Sequence, residues 1–239
     1  MKERFTCEAL IVRSVDYRDN DRILTLITPG YGKRSAMARG GRRGGKKSTE
    51  PIEPFHTLRV TLEETERELD NLCEARVVRV RTRLTTDLAR LDAAGTAMRL
   101  ARHLFQPKAA ELTGWDTIID LLDRLECTDD DPSAILAEMS LKLLADTGYA
   151  LDFERCVRCG RPCPADRSAY LNVSDGGLVC HACGGAGEII DARLRRCVTA
   201  FQRGEKSILS EPPRKSDITA ILRLISTVMT THAGARTST

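Results

Sequence analysis

Four of the nine cysteines in this 239-residue chain form two doublets, Cys156-Val157-Arg158-Cys159 and Cys180-His181-Ala182-Cys183, with residues 160–179 between them. Two CxxC units at this spacing match a tetrahedral four-thiolate zinc site, because each doublet makes a tight turn that aims two sulfurs at one ion. Four thiolates fill every coordination position, whereas a catalytic zinc keeps one open to water, so the expected zinc is structural. Arg155, Arg158 and Arg161 flank the first doublet and would offset part of the charge of about −2 on such a centre. Cys163 and His181 lie near enough in sequence to compete as ligands, His181 less readily because it sits inside the second doublet. Between the doublets, Ser168–Val173 and Gly177-Leu178-Val179 flank Ser174-Asp175-Gly176, the pattern of a short hairpin, and together these features describe a zinc ribbon. So small a hairpin cannot hold itself together, and the metal is expected to supply the missing folding energy.

A second group of residues suits polyanions. Lys33, Arg34, Arg39, Arg42, Arg43, Lys46 and Lys47 lie within residues 33–47 with no acid among them, in a chain whose net charge is only +3. The glycines at 40, 41, 44 and 45 would let this segment run close along a phosphate backbone. Each neutralised phosphate releases a counterion, so such binding would be steeply salt dependent. The competing reading is a merely solvated loop. Gly40 to Lys46 mimics a nucleotide phosphate loop, GxxxxGK, but Lys47 stands where a serine or threonine must reach Mg²⁺, and Pro51 and Pro54 forbid the helix that should follow. No nucleotide cofactor is therefore expected. Aromatic residues make up only 4% of the chain. The N-terminal region offers Phe5, Tyr17, Tyr31 and Phe55, some of which must be core, so backbone contact should dominate over base stacking.

Nothing points to an enzyme. His56, His103, His181 and His232 are scattered without a nucleophile partner, and the acidic run Asp129-Asp130-Asp131 reads as helix capping. The N-terminus has only the apolar run Ala9–Val12 before Arg13, so neither a signal peptide nor a membrane partner is expected, and a reducing cytoplasm favours metal ligation over disulfides. Cys7, Cys73, Cys127 and Cys197 stand alone and are expected to be small core residues.

The elements that must position these groups follow from periodicity. Ala9–Val15, Arg22–Thr28, Ser35–Arg39 and the stretch Phe55, Leu58, Val60, Leu62 read as strands, while 69–80 is ambiguous between strand and helix. Short strands with close turns fit an N-terminal OB-fold β-barrel over residues 1–80. From Leu84 the period becomes helical, with Leu84, Leu88, Leu91, Met98 and Phe105 as one stripe ended by Pro107. Thr113 is expected to cap the next helix, carrying Ile118, Leu121, Leu122 and Leu125, and Asp131-Pro132 to start a third. Helices resume over Asp191–Arg203 and Asp217–Met229. The expected class is α+β: the barrel, an α-helical domain at 81–150 and 190–232, an inserted four-cysteine zinc ribbon at 151–189, and a flexible tail at 233–239.

The order of parts resembles the RecO family of bacterial DNA repair and recombination mediators from about Phe5 to about Met229. The residues that carry the resemblance are Asp19-Asn20-Asp21-Arg22-Ile23-Leu24-Thr25-Leu26 after Tyr17, Gly32-Lys33, Ala38-Arg39-Gly40, Pro54-Phe55, Gly148-Tyr149 and Cys156-Val157-Arg158-Cys159-Gly160. The resemblance implies a protein of the cytoplasm and nucleoid that binds single- and double-stranded DNA and anneals complementary strands without ATP. It also implies that the protein binds the C-terminal tail of single-stranded-DNA-binding protein (SSB) and, with RecR, helps RecA onto SSB-coated DNA. The family's basic OB surface falls on the seven cations between Lys33 and Lys47. The chain departs from the family pattern in its short, weakly basic segment after Met229. The alternative reading is a zinc-ribbon module for protein interaction or regulatory nucleic-acid binding.

Overall fold

The computed structural model describes residues 3–18, 20–39, 54–65, 69–185 and 187–236. The chain divides into two compact units, Met1–Asp129 and Asp130–Thr239.

The first unit opens with five strands, β1 (Arg4–Tyr17), β2 (Asp21–Thr28), β3 (Gly32–Ala38), β4 (Thr57–Glu63) and β5 (Asp70–Arg79). They form a closed barrel in the order β1-β2-β3-β5-β4. The ring closes where β4 returns to β1, with Phe5 opposite Leu62 and Ala9 opposite Leu58. β3 and β5 meet in parallel through Ala36 opposite Asp70 and Met37 opposite Asn71, and every other pairing is antiparallel. This is the closure of the OB fold. Leu24, Leu26, Leu58, Val60 and Leu62 fill the interior against Ala9, Ala36 and Ala38, whose small side chains fit the taper.

Two irregularities explain where the sequence pattern was weak. A bulge between Ile11 and Arg13 bends β1, so one 14-residue strand pairs with both β2 and β4. Another opposite Thr61 and Leu62 spaces the inward residues of β5 as Leu72, Ala75 and Val77. That spacing breaks the period of two and gives residues 69–80 their helical look.

Three helices complete this unit, α1 (Arg83–Thr86), α2 (Leu88–Leu104) and α3 (Leu112–Cys127). The single helix expected from Leu84 is interrupted at Asp87, which turns extended and caps α2 by accepting a 2.9 Å hydrogen bond from the Arg90 N–H. The new phase buries Ala93, Ala94, Ala97, Met98, Ala101 and Leu104 and leaves Leu88 and Leu91 exposed. Glu111, not Thr113, caps α3, accepting from the Gly114 N–H at 3.1 Å, and the expected stripe Ile118, Leu121, Leu122 and Leu125 is buried. Arg81, fully buried, donates to the Phe55 carbonyl, the Thr57 hydroxyl and the Asp123 carboxylate, fastening the ends of β4 and β5 to α3. Cys7 and Cys73 are half-buried, while Cys127 is exposed and so is not the core residue expected.

The second unit contains α4 (Pro132–Asp146), α5 (Ala192–Arg203) and α6 (Lys215–Arg236). Asp131 caps α4 by accepting from the Ser133 N–H at 2.9 Å, as the Asp-Pro pair predicts. α4 packs against both α5 and α6 and is accordingly apolar on several sides. α6 runs on to Arg236, past Met229, and residues 237–239 of the expected tail lie outside the described residues. Cys197 on α5 is buried. α1 to α3 fall in the first unit and α4 to α6 in the second. No helix among the described residues is long and apolar enough to cross a membrane.

Between α4 and α5 lies a small sheet of β6 (Asp152–Cys156), β7 (Ala169–Asn172), β8 (Gly177–Val179) and β9 (Glu188–Ile190), in the order β6-β8-β7-β9. The expected hairpin is β7 and β8, with Tyr170 opposite Val179. The Asn172 side-chain oxygen accepts from the Asp175 N–H in its turn at 3.1 Å.

Candidate functional site

The sheet explains how two distant doublets meet. β6 ends at Cys156 and runs beside β8, which leads directly into Cys180, so the first cysteine of each doublet arrives at the same edge. Each doublet then turns back on itself. Gly160 donates its N–H to the Cys156 carbonyl at 2.8 Å, and Gly185 donates to the Cys180 carbonyl at 3.1 Å. Gly160 and Gly184, each following the second cysteine of its doublet, have φ of +70° and +80°, a backbone state that strains any residue with a Cβ. The repeated pattern is therefore CxxCG, with the glycine required by the turn.

The Sγ atoms of Cys156, Cys159, Cys180 and Cys183 all lie within 4.8 Å of one another. Cys159 Sγ and Cys180 Sγ are 3.8 Å apart. A tetrahedron with Zn–S bonds of about 2.3 Å has edges of about 3.8 Å, so the four sulfurs fit zinc. Cys163, whose Sγ contacts the Arg161 carbonyl at 3.9 Å, and His181, whose ring lies 6.3 Å from that of Tyr170, are outside this group. The Cys180 N–H donates to Cys156 Sγ at 3.3 Å, and that bond, helped by the N–H groups of Cys159 and Arg158, pulls the Cys156 thiol down to about 6. Hydrogen bonds to Cys180 and Cys159 push Cys183 up to about 12. A metal ion binds such thiols as thiolates, so its arrival would release protons.

Of the three arginines near the first doublet, Arg158 is the one engaged across the site. Its Nη1 donates to the Cys183 carbonyl at 2.8 Å and its Nε to Asp175 at 2.8 Å, tying the two turns together. Arg155 reaches the Gly160 carbonyl at 3.4 Å, and Arg161 is exposed.

Of the seven cations from Lys33 to Lys47, Lys33, Arg34 and Arg39 are among the described residues, and these three do not form one surface. Arg34 is a correction: its side chain is 5% exposed and it forms a two-pronged ion pair with Asp70 at 2.7 and 2.9 Å, with Glu64 at 3.1 Å. Its guanidinium also lies 5.4 Å from the centre of the Phe5 ring. Along β3, Arg34 shares its face with Ala36 and Ala38, the inward one, and this parity was visible in the sequence. Lys33 points the other way, yet its Nζ donates to the Arg102 carbonyl at the end of α2 at 2.8 Å, a favourable seat for a cation. Arg39 is exposed just past β3. Arg42, Arg43, Lys46 and Lys47 lie outside the described residues.

Other exposed cations escaped the sequence reading because only strand pairing brings them together. Arg59 on β4 lies directly opposite Arg76 on β5 and, on its other side, opposite Glu8 on β1. Phe5 stacks on Tyr31 at 4.0 Å and Phe55 is buried, so Tyr17 and Tyr31 are the exposed aromatics of the four.

Two family models cover nearly the whole chain, Recombination protein O N terminal over residues 1–81 and Recombination protein O C terminal over residues 85–238. The chain belongs to the RecO family. Among curated relatives, the DNA repair protein RecO of Geobacter sulfurreducens is 31% identical over 210 residues, covering 86% of this chain and 85% of the relative. That of Myxococcus xanthus is 32% identical over 182 residues, covering 76% and 73%. The RecO of Streptomyces avermitilis is 30% identical over 197 residues, covering 78% and 77%. Membership of the RecO family places this chain in DNA repair and recombination, as a DNA-binding protein with a barrel fold and a four-cysteine cluster suited to a metal.

Proposed function

We propose that this chain is a non-enzymatic mediator of DNA repair that binds single- and double-stranded DNA along the basic end of its barrel and anneals complementary strands without ATP. Cations spread over phosphates reduce the repulsion between two strands, and a scarcity of stacking aromatics leaves the bases free to pair. With RecR, and through the tail of SSB, it would help RecA load on SSB-coated single strands in the cytoplasm. Zinc bound by Cys156, Cys159, Cys180 and Cys183 would hold the ribbon folded and take no part in chemistry.

The observation that carries this reading is the acid-free basic run ending in Arg39, Arg42, Arg43, Lys46 and Lys47, in the sequence between β3 and β4 of a chain that is otherwise nearly neutral. Arg34 is excluded from it, since its charge is already matched inside the barrel. Reversing Arg42, Arg43, Lys46 and Lys47 to glutamate together should weaken duplex binding and flatten its salt dependence, each lost phosphate contact lowering the log–log slope by about 0.9. Annealing of complementary oligonucleotides, followed by fluorescence without ATP, should slow in parallel. An unchanged slope would sink the assignment.

A further inference from the structure

β1 outruns the neighbour that closes the barrel. β4 pairs with it from Arg4 to Ala9, and β2 pairs with it from Leu10 to Tyr17. Past Ile11, the edge of β1 that faces away from β2 therefore has no strand beside it among the described residues, and Arg13 to Arg18 are all exposed. Such an edge offers unpaired N–H and C=O groups to a further strand.

An apolar row leads up to that edge. Met37 on β3 lies opposite Ile23 on β2, and Ile23 lies opposite Val15 on β1. Their neighbours Leu24, Ala36 and Ala38 fill the interior, so by alternation this row is on the outer face. Val15 is 41% exposed, and Tyr17, two residues on along the same face, is 38% exposed.

We propose that a second copy of the chain docks on this edge, its β1 running antiparallel to the first about a two-fold axis through Val15. An axis normal to the sheet keeps every residue on its own face, so only registers that pair positions of like parity are allowed. With Val15 opposite Val15 of the second copy, the row Met37, Ile23, Val15 continues unbroken into the same row of the other chain. Tyr17, which has Asp21 beside it on β2, then faces Arg13 of the second copy, and Ser14 faces Asp16. No like charges meet. Sliding one step of two residues sets Asp16 against Asp16, and the opposite step sets Val12 against Asp16 and cuts the apolar row. In the favoured register the residues that pair with β4 lie beyond the end of the other copy's β1, so the two contacts do not compete. The consequence for DNA rests on the annealing reading. The axis sets the two basic runs that follow β3 in opposite directions, at five strand spacings or about 24 Å, and complementary strands need that antiparallel sense.

Sedimentation equilibrium of the full chain without DNA tests the interface by itself. The mass should rise with concentration from 26.5 kDa toward twice that value. Val15→Asp and Val15→Lys each put like charges on the axis and should weaken self-association by roughly tenfold or more, whereas an equimolar mixture of the two should pair at least as well as the wild type. Recovery in the mixture also shows that both variants are folded. A wild type that stays monomeric at every concentration, wild-type association in both variants, or a mixture that fails to pair would each overturn the proposal. A chain that stays monomeric and loses single-strand affinity in both variants would overturn it in favour of DNA bases on the apolar row. Annealing by the mixture should be faster than by either variant alone. Pairing without that gain would uphold the interface and count against the annealing reading instead.

Discussion

The barrel and the ribbon hold themselves together in opposite ways. The barrel closes on itself, pairs every strand, and buries aliphatic side chains from all five. Its deeply placed ion pair, Arg34 with Asp70, is matched internally. The ribbon has strands of three to five residues whose buried apolar side chains are only Phe153, Leu171, Leu178, Val179 and Ile190 beside Cys156 among the described residues, and its polar centre is four thiols within 4.8 Å. A closed sheet can be stable on burial alone, whereas strands this short need a cross-link. The barrel's proposed site is thus a surface displayed by a self-sufficient scaffold, and the ribbon's proposed site is the scaffold itself.

The largest test of that contrast is to remove the cross-link. Cys180→Ser, or a strong chelator, would take away the binding free energy of about 10–16 kcal/mol that the proposed zinc supplies to the ribbon. Hydrogen exchange should then show β6 to β9 losing protection while β1 to β5 keep theirs, and DNA affinity should fall by no more than about threefold, roughly 0.6 kcal/mol. Collapse of barrel protection would end the contrast. Acid should act in the same direction. Cys156 is held down at about 6, so the stability its thiolate gives is present above its ordinary range and lost as pH falls through about 6. Zinc release to a chromophoric chelator should therefore rise as pH drops toward 6 and below.

A smaller break lies inside the barrel. Arg34→Ala leaves Asp70, 3% exposed at its side chain, without its cation, and should cost about 3–5 kcal/mol in urea unfolding. Arg34→Met with Asp70→Leu should recover most of that loss, because matched apolar groups replace a buried ion pair at little cost. The salt slope of DNA binding should not move in the double variant. A slope lowered by about one would return Arg34 to the DNA surface.

These two regions were also unequally legible in the sequence. The four-cysteine cluster was readable from spacing alone, because CxxC turns are local and the glycine after each doublet fixes their shape. The barrel was readable in kind, through Leu24, Leu26, Leu58, Val60 and Leu62, but not at its seams. β5 was hidden by a bulge of its own, in which Cys73 is the extra residue between Leu72 and Glu74, and the phase of α2 by the cap at Asp87. The basic run was misjudged at Arg34 because charge was counted along the chain without asking which face of β3 each residue occupies. Arg59 and Arg76, 17 positions apart in number, could be joined only by the β4–β5 register. Arg81 was passed over for the same reason, since a buried arginine is recognised by the distant acceptors around it.

The smallest effect expected is also the sharpest on the ribbon, and it concerns Cys163. In sequence it competes with Cys159 for the fourth coordination position, being only four residues further on. In space its sulfur rests on the Arg161 carbonyl, and burial pushes its thiol up, away from the thiolate that zinc needs. Cys163→Ser should accordingly leave zinc stoichiometry at one per chain and change stability by no more than about 0.5 kcal/mol. Cys159→Ser should lose zinc even though Cys163 remains beside it. The comparison is informative because both variants remove one sulfur from the same short loop, so composition is matched and only position differs. If Cys163 rescued zinc binding in the Cys159 variant, the loop would be pliable enough to exchange ligands, and the metal would be choosing among cysteines instead of meeting a geometry fixed by Gly160 and the β6–β8 pairing.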